Sequence, residues 1–76
     1  MENEINKILS KMKPGPTIAN DTSLFENGIF DSFDLVMIVD ELEEFFDVSI
    51  PGEMIIPENF ENILCINKML AKLKKN

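Results

Sequence analysis

GIFDSFDLVMIVDELEEFF, residues 28–46, reads as the start of an amphipathic helix. With Ser32 set at 0° and about 100° advanced per residue, Leu35, Ile38, Val39, Leu42, Phe45 and Phe46 fall within an arc of roughly 120°. That is the width of a core-facing stripe on an amphipathic helix. Phe33, Val36 and Met37 lie outside it, on the side that carries Asp40, Glu43 and Glu44. Asp31 is placed to be the N-cap, and Asp34 adds a favourable negative charge to the first turn. Ser32 then opens the helix with its hydroxyl exposed. A helix mouth offers backbone N–H groups and a partial positive charge, a good setting for an attached phosphate.

On the N-terminal side, Ile5, Ile8, Leu9 and Met12 repeat at helical spacing, which predicts a helix over about residues 2–12, ended by Pro14, Gly15 and Pro16. A long loop over about 13–30 follows, pinned to the core by Leu24 and Phe25 and turned at Asn27-Gly28. On the C-terminal side, the two prolines and one glycine of VSIPGEMIIPENF predict a structured connection with one short helical turn. Its apolar residues Val48, Ile50, Ile55, Ile56 and Phe60 are expected to point inward. A last helix over about 63–74 follows, with Asn62 as N-cap and Ile63, Ile66, Met69, Leu70 and Leu73 buried. Lys72, Lys74 and Lys75 sit at its end, where the helix dipole favours cations. The fold expected is all-α: a small four-helix bundle, three main helices plus a short one, with a long first loop, in a single domain over 1–76.

Size and composition narrow the function. A chain of 76 residues buries only about 60% of the surface its unfolded form exposes, too little for a deep catalytic cleft. It has no histidine, which removes the commonest general base and metal ligand, and its one cysteine, Cys65, cannot form an internal disulfide or a zinc cluster. Cys65 reads as a small residue within a helix. No apolar run is long enough for a membrane span, and the acidic start MENEINKIL is unlike a signal peptide, so a cytoplasmic location is the default expectation.

The net charge of −7 argues against nucleic acid as a partner. All 7 lysines fall between Lys7 and Lys13 or between Lys68 and Lys75. Of the 14 acids, only Glu2 and Glu4 lie outside the base-free stretch from Asp21 to Glu61. Such a one-signed field steers basic partners. Glu43, Glu44 and Asp47 crowd the end of the second helix, where the dipole disfavours them, a local conflict of the kind found where function overrides stability. Acids that steer, apolar side chains that grip and a serine beside them resemble a docking surface.

GIFDSFDLVMIVDELEEFFDVSIP, residues 28–51, also resembles a known family, the acyl carrier proteins and related phosphopantetheine carriers. It looks like their Asp-Ser-Leu helix start, acidic helix and F-x-[IV]-x-I-P exit, and chain length, first loop and last helix agree. The resemblance implies that Ser32, preceded by Asp31, bears 4′-phosphopantetheine from coenzyme A, attached by a phosphopantetheinyl transferase. It further implies that an acyl or aminoacyl group is held as a thioester on that arm and presented to loading and transfer enzymes with basic docking surfaces. The carrier itself catalyses nothing and is expected to be a monomer. Phe33, Asp34, Val36, Met37, Asp40, Glu43 and Glu44 would form the partner surface. Phe33 stands where leucine is commonest, and Asp40 where many fatty-acid carriers place an apolar recognition residue. The segment ENFENI resembles stand-alone carriers loaded with amino acids, the D-alanyl type included.

Three other readings compete, of which an enzyme fails because the sequence sets no base near any nucleophile. An EF-hand loop begun at Asp21 would put Phe25 at a ligand position, Glu26 where glycine is required and Ser32 where the bidentate glutamate belongs, so it fails three times. An unmodified acidic helical adaptor, with Ser32 only a cap-region residue and the exposed apolar groups binding a basic protein partner, stays open.

Overall fold

The computed structural model describes residues 2–15 and 18–74. Expectations for Pro16 and Lys75 lie outside the described residues. Three α-helices are present: α1 (Glu2–Met12), α2 (Ser32–Phe46) and α3 (Ile63–Leu73). There is no strand among the described residues. The single short helix expected between α2 and α3 is two 3₁₀ turns, Gly52–Met54 and Pro57–Phe60. Pro57 explains the division, because it lacks the N–H that a continuing helix needs but suits the first position of a new turn.

α1 packs against both α2 and α3, and the second 3₁₀ turn lies on α3. The core joins Ile5, Ile8 and Leu9 of α1 to Ile38, Val39, Leu42 and Phe46 of α2 and to Ile63, Ile66, Met69 and Leu70 of α3. Ile18, Leu24 and Phe30 enter it from the first loop, with Ile50 and Phe60 from the connection. The loop is therefore pinned, as Leu24 and Phe25 suggest in the sequence. Leu24 is fully buried and its backbone donates to Glu61 O and accepts from Phe30 N–H. Gly28 turns the chain with φ +74°, a left-handed value that most side chains resist, and its N–H donates to Phe25 O at 3.1 Å.

Two apolar residues depart from the expected core. Phe45 is 58% exposed and Ile56 is 41% exposed. Phe45 lies at about 220° on the α2 wheel, the outer edge of the buried arc, so its ring turns out and packs edge-on against Phe46 at a centroid distance of 4.9 Å. Ile56 is the extended residue before Pro57, where the backbone is held out of the helical region.

The crowded acidic end of α2 is relieved from three sides. Asp47 takes a left-handed conformation, φ 53° and ψ 53°, and its N–H and that of Val48 both donate to Glu43 O. Lys74, beyond the end of α3, donates from Nζ to Phe46 O at 2.9 Å, so a cation from one helix serves the negative end of another. Glu43 Oε2 accepts from Ile50 N–H at 2.8 Å and holds the connection to the helix. Asn62 caps α3 as expected, its Oδ1 accepting from Cys65 N–H at 2.8 Å.

Candidate functional site

Asp31 builds the mouth of α2. Its Oδ1 accepts from Phe33 N–H and Asp34 N–H, each at 3.0 Å, and Asp34 Oδ2 accepts from Asp31 N–H at 3.0 Å. This reciprocal capping box fixes where the helix begins. Ser32, the first helical residue, is exposed.

One expectation about this mouth needs correction. The amides of Phe33 and Asp34 are already bonded to Asp31, so they are not free for a phosphate on Ser32. A phosphate there would feel the positive end of the 15-residue helix rather than direct bonds from those two amides.

The wheel of α2 shows which residues share a face. Val36, Asp40, Phe33, Glu44 and Met37 span about 40° to 140°, and all five are exposed. Phe33 is 83% exposed, Val36 63% and Met37 57%, three neighbouring large apolar side chains in water on one helix of a small domain. Single exposed apolar groups are ordinary, but three of them within five residues of one helix, beside acids, are less so.

Two of the seven residues expected on the partner surface are engaged within the protein instead. Glu43, at about 20° on the edge of the core, is half-buried and spends its carboxylate on Ile50 N–H. Asp34, at about 200°, turns toward the end of α1, where Lys13 Nζ lies 3.4 Å from its Oδ2. The Asp31 N–H first, with Lys13 assisting, holds the Asp34 carboxyl below its usual value. Sequence periodicity could not show either engagement, because both partners come from outside the helix.

Phe45 and Leu64 are apolar exposures that the sequence did not single out as surface. Lys11, Glu41, Glu44 and Phe45 surround a shallow cavity on the α1 side of α2. Among the described residues no group of His, Cys, Asp and Glu is arranged to hold a metal ion, and no helix is long and apolar enough to cross a membrane.

The setting suits a covalent arm on Ser32. The hydroxyl is exposed, its helix start is fixed by bonds among Asp31, Phe33 and Asp34, and the adjoining face is apolar and accessible. A tethered group there would displace no core side chain.

Comparison with known proteins points the same way. A family model described as "Phosphopantetheine attachment site" matches residues 3–64. D-alanyl carrier proteins of Lactococcus lactis, from subsp. cremoris strains MG1363 and SK11 and subsp. lactis strain IL1403, are each 36% identical over 55 residues. The match covers 72% of this chain and 66% of the length of each relative.

Proposed function

The chain belongs to the phosphopantetheine-attachment family, whose members carry a covalent 4′-phosphopantetheine, and on that premise we propose that Ser32 is the attachment residue of an aminoacyl carrier. The observation that carries this reading is the exposed hydroxyl of Ser32, at a helix start locked by the Asp31–Asp34 capping box and beside the exposed Phe33, Val36 and Met37. The arm supplies the thiol on which the cargo is held as a thioester, so the chain needs no nucleophile or base of its own for acyl chemistry.

The chain's own residues have three tasks in this reading. Ser32 supplies the ester oxygen. Asp31 and Asp34 hold that oxygen at the helix mouth, where loss of either cap would let the first turn fray. Phe33, Val36 and Met37 grip each partner enzyme while Asp40 and Glu44 steer its basic surface, which gives fast and weak encounters suited to a component passed between enzymes.

The relatives named D-alanyl carrier proteins support an amino acid, D-alanine, as cargo. So does the interior: Ile38, Leu42, Phe60, Ile63 and Ile66 are fully buried, and a close-packed core leaves a long acyl chain to be admitted only by repacking. A small polar cargo held outside the bundle requires none. The cationic amino group it carries is compatible with the surrounding acids.

The test is incubation with coenzyme A and a broad-specificity phosphopantetheinyl transferase, followed by a D-alanine-adenylating enzyme, D-alanine and ATP. Intact mass should rise by one phosphopantetheine and then by one alanyl group, and Ser32→Ala should take neither. No first gain, under conditions that modify a control carrier, favours the adaptor reading. A first gain with loading by fatty-acyl substrates but not by D-alanine keeps the carrier and overturns the cargo.

A further inference from the structure

We propose that Lys13 is a specificity-determining residue of the docking face: held on Asp34, it neutralises the α1-side edge of α2 and directs a partner's cations to Asp40. The inference rests on the carrier reading above and concerns how partners sit on that face.

Between Lys13 and Lys68 the sequence has no base, so α2 would present acids on every solvent-facing row unless a cation reached it from elsewhere. The row at about 180° to 220° on the wheel holds Glu41, Asp34 and Phe45, and it faces the lysine-bearing end of α1. Lys13 Nζ lies 3.4 Å from Asp34 Oδ2, and Lys11 shares a shallow cavity with Glu41, Glu44 and Phe45. The opposite row holds Asp40 and Val36, at about 80° and 40°, and both are exposed.

The helix is therefore acidic on one edge and compensated on the other. The acid of the Lys13–Asp34 ion pair sits two residues from the proposed attachment point. A partner cation aimed at Asp34 must displace or share with Lys13, whereas one aimed at Asp40 meets an exposed carboxylate. Like-signed obstruction of one approach is a recognised way to select a docking register. Exposed pairs are weak, so the effect expected is modest.

The experiment compares Lys13→Met with Lys7→Met, which removes the same charge from an exposed position of α1. The readout is phosphopantetheinyl transfer from coenzyme A by a broad-specificity transferase at low salt. Lys13→Met should lower KM by about twofold to fivefold relative to Lys7→Met, with kcat little changed and the advantage lost at high salt. Lys13→Arg should behave as wild type. The KM penalty of Asp40→Asn should shrink in the Lys13→Met background, because a freed Asp34 then shares the partner's cation, and the gain should vanish in Asp34→Asn.

Equal KM values for Lys13→Met and Lys7→Met would overturn the proposal. So would a raised KM with a lowered melting temperature, the signature of a residue that only braces the helix mouth. Failure of the wild-type protein to be modified at all would instead remove the carrier reading on which the proposal stands.

Discussion

The two sides of α2 should separate cleanly in a paired truncation, Leu42→Ala against Met37→Ala. Leu42 is fully buried, whereas Met37 is 57% exposed, five residues earlier on the same helix. Removing a buried leucine side chain costs about 2–5 kcal/mol through lost transfer energy and the cavity left behind. A domain of this length has a total stability of about 4–11 kcal/mol at the usual value per residue, so Leu42→Ala consumes a large share of it. For a chain of 60–100 residues each kcal/mol lowers Tm by about 4–8 °C, and a mid-range loss of about 3 kcal/mol gives a fall of roughly 12–24 °C. Met37→Ala removes mostly solvated surface and installs the best helix former, so its Tm should stay within about 4 °C of wild type. Its effect should appear in docking instead, as a several-fold rise in KM for phosphopantetheinyl transfer. Thermal unfolding followed by far-UV circular dichroism, with transfer kinetics on the same samples, makes the comparison. A loss of stability in Met37→Ala equal to that in Leu42→Ala would refute the assignment of the two faces. Unchanged kinetics in a folded Met37→Ala would refute its role as a grip.

Three further outcomes follow from local structure. Asp31→Ala should lower stability by about 1 kcal/mol, while Asp31→Asn, which keeps the accepting oxygen, should lie within a few tenths of wild type in urea unfolding; equal losses would show that the cap is not the source. The Asp34 carboxyl titrates below its ordinary value when folded, so its contribution is complete above the unfolded value of 3.8 and is lost as pH falls through the lower folded value. Acid unfolding of Asp34→Asn should therefore be less steep than wild type below about pH 4, and identical acid limbs would contradict the capping box as the cause. Asp47→Gly should stabilise by a few tenths to about 1 kcal/mol, since glycine takes the left-handed conformation without strain, whereas Asp47→Ala should not; a gain in both would point to charge removal instead.

The sequence exposes the features that a period of 3.6 residues can carry. Ile5, Ile8 and Leu9 define α1, Ile38, Leu42 and Phe46 define the buried side of α2, and Ile63, Ile66 and Leu70 define that of α3. Asp31 and Asn62 are legible as caps because their side chains bond to amides two or three residues ahead. Phe33, Val36 and Met37 stand out for the same reason, as apolar residues off the stripe. What escapes is set by partners distant in sequence or by backbone geometry. Asp34 meets Lys13 across the long first loop, Glu43 meets Ile50 beyond the end of its own helix, and Lys74 finds the carbonyl of Phe46 across 28 residues. Phe45 lies at the boundary between core and water, where an angle of a few tens of degrees decides, and Ile56 is fixed outward by the extended backbone that precedes Pro57.

In the proposed function a single hydroxyl of this chain receives the arm. Ser10, Ser23 and Ser49 provide internal controls, since each is a serine of the same protein outside the mouth of α2. Proteolytic mapping of the transferase-treated protein by tandem mass spectrometry should find the phosphopantetheine mass on the fragment containing Ser32 alone, with fragment ions that locate it there. The same mass on any other serine, or on none while a control carrier is modified in parallel, would contradict the account.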